Sequence, residues 1–192
     1  MPERSQAALD FLRTRRSVPA KMLTGPVPDR EELSDLLGIA ARVPDHGKLE
    51  PWRFVVLERA ALTRLATAAR VQGTELGLAP DKVAKAEDQF ARADLVVAVV
   101  SSPVPSDKIP EIEQTLSGAA VCLGLVNACL AAGWGASWLT SWMAHEDVFA
   151  TEAFGLAEGE RVLGLIHIGT PQSPPPERPR PDMDRIVTWV AG

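Results

Sequence analysis

Two segments gather residues able to bind charge: Arg15-Arg16-Ser17, and the run from Arg42-Val43-Pro44-Asp45-His46 through Lys48 to Glu50-Pro51-Trp52-Arg53-Phe54. Each follows apolar residues at helical spacing, so each falls where a helix gives way to a loop. Paired arginines beside a hydroxyl clamp an oxyanion through charge-assisted, partly two-point hydrogen bonds. Cations held on element ends, with an apolar strand starting at Trp52, suit an anionic, planar ligand. A cation at a helix C-terminus also complements the helix dipole with no ligand at all, and a lone loop histidine is commonly just solvated. The two segments alone leave both readings open.

Other chemistries find less support. Asp45 and His46 with a serine could suggest hydrolysis, but no Gly-x-Ser-x-Gly elbow is present. His46, His145 and His167 with Cys122 and Cys129 show no metal-ligand spacing. No Gly-x-Gly-x-x-Gly follows a strand, which argues against a dedicated dinucleotide fold. The cysteines fall seven apart in one expected helix, ~10 Å along its axis and too far for a disulfide. Small apolar packing in a reduced compartment is their expected role.

The 192 residues are 46% apolar and 23% charged, which suits one soluble domain over 1–192. With 20 basic against 25 acidic residues, the net charge of −5 disfavours nucleic acid or an anionic membrane as partner. The N-terminus lacks a signal-peptide pattern. The most apolar run, Gly118 to Gly133, is 16 residues and shorter than the ~20 a bilayer needs. A cytoplasmic protein is expected.

Ser5 predicts the cap of a helix ending near Arg15, and Pro28-Asp29 with Glu32 predicts a second helix start. Residues 52–57 read as a strand buried on both faces. Residues 59–91 read as two helices broken near Pro80, and 95–100 as a buried strand. Glu111 to Ala132 reads as a long helix, apolar all round in its second half. Such a helix is enclosed either in a core or between subunits. A short strand over 135–140, a short helix over 145–154 and a strand over 161–168 follow. Residues 171–192 form an arm; six of the 16 prolines fall between Pro171 and Pro181, enforcing an extended path. The arm ends in Arg185 to Val190, a strand pattern with no hairpin partner, so it is expected to pair with a sheet edge on another subunit. Helices and strands do not alternate cleanly. The expected fold class is therefore α+β, a mixed and mainly antiparallel sheet surrounded by helices, with the C-terminal strand exchanged in a dimer.

Arg15-Arg16-Ser17, Arg42-Val43-Pro44-Asp45-His46, Glu50-Pro51-Trp52-Arg53-Phe54, Gly133-Trp134-Gly135-Ala136-Ser137-Trp138 and Gly169-Thr170-Pro171 together resemble the flavin-dependent nitroreductases, within them a compact subgroup of NAD(P)H nitroreductases. The resemblance implies an obligate homodimer with two FMN sites at its interface. It implies that Arg15, Arg16 and Ser17 bind the phosphate and ribityl region, and that Arg42 and His46 contact FMN and reach toward the partner's site. It also implies that Trp138, Leu139 and Thr140 border the flavin, where Trp138 taken alone reads equally well as core. No side chain is implied as a catalytic acid or base, because the flavin carries the chemistry between NADH or NADPH and a small-molecule acceptor such as a nitroaromatic or quinone. The chain departs from its relatives at Lys48 and Glu50, where many carry Asn and Gln, and at Pro19, where larger relatives carry a cation facing flavin N1–O2. Lys48 is the substitute implied for that cation. The same departures leave open a flavin-binding or flavin-sequestering protein without turnover.

Overall fold

A computed structural model describes residues 3–191. Ser5 accepts from the Ala8 N–H and starts α1 (Gln6–Thr14). A two-residue strand β1 (Leu23–Thr24) precedes α2 (Arg30–Ala40), which Asp29 caps through the Glu32 N–H at 2.9 Å. Both starts follow from a side-chain oxygen satisfying an N–H that the first helical turn leaves free. Next come β2 (Trp52–Glu58), α3 (Arg59–Glu75) and α4 (Pro80–Ala91), the last begun by a proline where no amide donor is needed. β3 (Leu95–Ser101), α5 (Glu111–Ala131), β4 (Gly135–Leu139), α6 (Asp147–Phe154), β5 (Arg161–Pro171) and α7 (Met183–Ile186) complete the chain.

All strand pairs are antiparallel. The order is β1-β5-β3-β2, with β4 joining β5 on the β1 side. β3 lies at the centre and is buried along its whole length. Its alternate residues feed two cores, as the period of two requires. Leu95, Val97 and Val99 face Leu33, Leu36, Val121 and Leu125 of α2 and α5. Val96 and Ala98 face Leu62, Phe90 and Phe149 of α3, α4 and α6. Helices thus cover both sheet faces, in agreement with the α+β expectation. Gly124 lets α2 and α5 approach closely, since a Cβ there would stand 2.8 Å from the Ala40 carbonyl oxygen.

Two expectations change. β2 is an edge strand rather than one buried on both faces; only Leu57 is enclosed, and Val56 is 40% exposed. An apolar run records side-chain character and carries no information on how many strands flank it. Within one chain α5 leaves Ile112, Leu116 and Leu123 63%, 62% and 47% exposed along one stripe, and of these only Leu123 belongs to the apolar second half. The length and composition of α5 would suffice for a membrane span, yet half of its most apolar window is buried within this fold. The strand expected over Arg185–Val190 is absent in the single chain. Asp182 accepts from the Asp184 N–H and sets up the turn of α7, which takes Arg185 and Ile186. Trp189 and Val190, both 91% exposed, have no ladder partner. In the single chain the local cap at Asp182 outweighs the β propensity of the residues that follow.

Candidate functional site

After α1 the chain extends beside β4, where the Val18 N–H donates to the Ala136 carbonyl at 3.0 Å. Arg15, Arg16 and Ser17 immediately precede this anchor to β4. Arg15 Nη2 donates to Ser17 Oγ at 3.0 Å, and Arg16 Nη2 to the Pro176 carbonyl at 2.9 Å. Glu177 Oε1 lies 3.7 Å from Arg16 Nε and 3.3 Å from Arg180 Nη2. Two guanidinium groups therefore share one carboxylate, and Arg15 lies close enough to both to feel their charge. The Nε atoms of Arg15 and Arg16 are both buried without a hydrogen-bond partner. Desolvation above all, then the charges of Arg16 and Arg180, pushes the Arg15 pKa down. Buried unpaired donors cost ~1–3 kcal/mol each and more when charged. A second anion is what this arrangement lacks.

Trp138, Leu139 and Thr140 lie at the C-terminal end of β4. Trp138 Nε1 donates to the Leu163 carbonyl at 3.2 Å, and its ring lies over Gly164, where a Cβ would meet Nε1 at 2.2 Å. The ring is thus fixed flat while part of it stays exposed. Leu139 is half-buried and Thr140 exposed. Charged donors that bind phosphate and an aromatic face that stacks on a planar ring are the two kinds of group these segments offer.

Arg42 and His46 stand elsewhere, between α2 and the first half of α5. Arg42 is exposed just beyond α2. His46 Nδ1 lies 2.7 Å from Glu113 Oε2, and Ser117 Oγ donates to the Pro44 carbonyl at 2.6 Å. Asp45 accepts from the N–H groups of Leu49 and Glu50 at 3.2 and 2.9 Å. The loop it holds contains three left-handed residues: Gly47 at φ 77°, Lys48 at φ 56° and Glu50 at φ 48°. At φ 77° any side chain at Gly47 would be strained, and its Cβ would also displace the tip of Ile109. Lys48 projects from this loop and is exposed. No hydrogen bond or ion pair among the described residues joins Arg42 or His46 to the β4 groups. Arg15, Arg16 and Ser17 thus precede the residue hydrogen-bonded to β4, the strand that carries Trp138 and Leu139, while His46 borders α5 beside the exposed Leu116.

Sequence reading missed Arg180, Glu177 and Glu113. Arg178 and Arg180 among prolines were the only signal for the first, and the Glu113/Ser117 spacing of one helical turn for the last. A cleft of about 840 Å³ between α2 and the start of α3 is lined by none of the expected residues. It flanks the open β2 edge, with Leu33, Leu37 and Val56 in its wall. Burial pushes the Cys122 and Cys129 thiols up to about 12, so neither supplies a thiolate. Among the described residues no group of three His, Cys, Asp or Glu is placed to hold a metal.

A family model described as "Nitroreductase family" matches residues 12–170. The Haemophilus influenzae protein named "Putative NAD(P)H nitroreductase" is 39% identical over 165 residues, covering 85% of this chain and 88% of its own. The crystal structure of a nitroreductase-like family protein from Bacillus cereus superposes with a TM-score of 0.79 at 21% identity over all of both chains. That of the FMN and NADPH-dependent nitroreductase NfnB from sphigopyxis sp. strain HMH gives 0.71 at 19% identity, covering 96% of this chain and 99% of its own. The last two are likenesses of fold.

Proposed function

The chain belongs to the nitroreductase family, and from that premise we propose that it is an FMN-dependent NAD(P)H oxidoreductase acting on a small-molecule acceptor such as a nitroaromatic or quinone. The observation that carries this reading is the arginine cluster, in which two buried Nε donors await an anion that Glu177 alone does not supply. A phosphate dianion fits that need through charge-assisted hydrogen bonds. Arg15, Arg16 and Ser17 would hold it, with Trp138, Leu139 and Thr140 bordering the ring system. When bound, FMN supplies the redox chemistry, taking hydride from the nicotinamide at N5 and passing electrons to the acceptor. Lys48 offers the cation facing the N1–O2 edge, in place of the basic residue that Pro19 replaces.

A homodimer completes the site in this reading. The exposed stripe Ile112, Leu116 and Leu123 gives a second copy an apolar helix face to cover. Covering it would carry Arg42 and His46, which flank that face, toward the partner's cofactor. The tail from residue 172 onward reaches roughly 35 Å over its first dozen residues at ~3.1 Å each. Residues 187–190 would then add to the open β2 edge of the other subunit. The net charge of −5 keeps nucleic acid and anionic membranes outside this proposal.

The deciding experiment is purification followed by flavin analysis and steady-state assay. The expected protein is yellow, releases FMN on denaturation, and oxidises NADH or NADPH only when a nitroaromatic or quinone is added. A protein that binds FMN without turnover would be a flavin carrier, and one that binds none refutes the reading.

A further inference from the structure

We propose that Glu113 is the positioning residue for His46, orienting the imidazole so that Nδ1 carries its proton toward α5 and Nε2 meets the ligand as a hydrogen-bond acceptor. Naming FMN as the ligand rests on the reading above; the orientation of the ring does not.

The argument starts at Glu113 Oε2, 2.7 Å from His46 Nδ1. An ionised carboxylate accepts hydrogen bonds and cannot donate. A neutral imidazole paired with it at that distance must therefore carry its one proton on Nδ1. Nε2 is left with a lone pair, which repels phosphate and carbonyl oxygens and attracts an O–H or N–H. The chemistry recognised at this point is then a hydroxyl or ring N–H of the ligand, such as a ribityl hydroxyl. This reverses the simplest expectation for a histidine beside a phosphorylated cofactor, which would have it donate.

The rest of the loop holds the backbone from which His46 projects. Ser117, one turn after Glu113 on α5, holds the Pro44 carbonyl at 2.6 Å, so one helix grips the loop on both sides of Asp45. Asp45 ties down the amides of Leu49 and Glu50, and Gly47 takes the left-handed turn between them and His46 at φ 77°. His46 borders a cleft of about 340 Å³ whose apolar wall is Leu116 and Ala120. His46 and Glu113 are both largely exposed, so their pairing adds little to stability. What Glu113 supplies is direction.

Two measurements test this. Nitrogen-15 NMR at pH about 9 reports the tautomer of His46, assigned by loss of its signals in His46→Gln among the three histidines of the chain. The Nδ1–H form is expected in the wild type with or without FMN. Glu113→Ala should shift it toward Nε2–H, and Glu113→Gln, which keeps an acceptor in place, should restore it. An Nε2–H ring in the wild type overturns the proposal. FMN titration supplies the second arm: Glu113→Ala is expected to weaken binding about fivefold to tenfold, and to have no further effect in a His46→Ala background. Equal losses in both backgrounds would mean that Glu113 acts independently of His46, which also overturns it. A wild type that binds no FMN refutes the cofactor reading, while the tautomer still decides the orientation.

Discussion

Arg53 on β2 and Glu160 at the entry to β5 form a two-point ion pair, with Nε–Oε1 at 2.7 Å and Nη2–Oε2 at 2.6 Å. Arg53 Nη2 also donates to the Gly155 carbonyl at 2.7 Å, and Glu160 caps the Ala157 N–H at 2.8 Å. The edge strand β2 is thereby fastened to the loop after α6, at the end of the strand that begins with the Pro51-Trp52 turn. Arg53 lies within one of the two charge-bearing segments, yet its charge is already spent on a structural partner.

The Arg53 hydrogen bonds are the main cause holding the Glu160 carboxyl at about 2. Its contribution to stability is full above the ordinary carboxylate value of ~4.3 and is lost as pH falls through about 2. Glu160→Gln should cost about 2 kcal/mol at pH 7, a figure discounted for the partial exposure of Arg53. Urea midpoints at pH 7, 4 and 2.5 check this. The gap between wild type and variant should narrow toward the acid end; a constant gap would contradict the assignment.

His167 has the opposite character. It is enclosed beside Gln89, and burial pushes its pKa down to about 4. The unfolded chain then binds a proton between about pH 6.5 and 4 that the folded chain refuses, so stability falls as pH drops through that window. The full effect is on the order of 3 kcal/mol. His167→Gln should flatten this part of the stability–pH curve, measured by denaturant unfolding at closely spaced pH values.

How much was legible in the sequence depends on whether the signal was local. Ser5, Asp29 and Pro80 marked helix starts because each acts on amides within one turn of itself. β3 was legible because enclosure on both faces demands apolar residues at every position. The edge position of β2 was not, since neighbours across a sheet leave no trace in the strand's own composition. The arginine pair and Trp138 stood out by residue type. The backbone link from Val18 to β4, and the approach of Glu177 and Arg180 to the arginines, are tertiary facts. The Asp182 cap that begins α7 was present in the sequence but was outweighed there by the Ile-Val-Thr-Trp-Val run.

The arginine cluster predicts a trade between stability and binding. Replacing Arg15 and Arg16 together by Met removes buried unpaired donors and mutual repulsion, so the flavin-free protein should melt no lower than the wild type. FMN affinity should fall by two orders of magnitude or more, at ~1.5–3 kcal/mol for each hydrogen bond to a charged group. Thermal melts with and without FMN read both effects. An unchanged affinity would remove the phosphate from this position.

The last prediction concerns the two surfaces left uncovered, the α5 stripe and the tail. Leu123→Arg places a charge at the C-terminal end of the stripe, beyond Leu116, where a covering copy would have to desolvate it. Deleting residues 172–192 removes instead the exposed Trp189 and Val190 and the Glu177 contact to Arg16. If the α5 stripe and tail exchange both build the dimer, each variant should weaken association by at least tenfold, read by sedimentation at micromolar concentration. Each should also release FMN in step with dissociation, because Arg42 and His46 would then no longer reach a partner's site. The deletion alone should leave the β2 edge unpaired and raise aggregation. A truncated protein that stays dimeric, soluble and saturated with FMN would confine the tail to its own subunit and leave the stripe as the only interface.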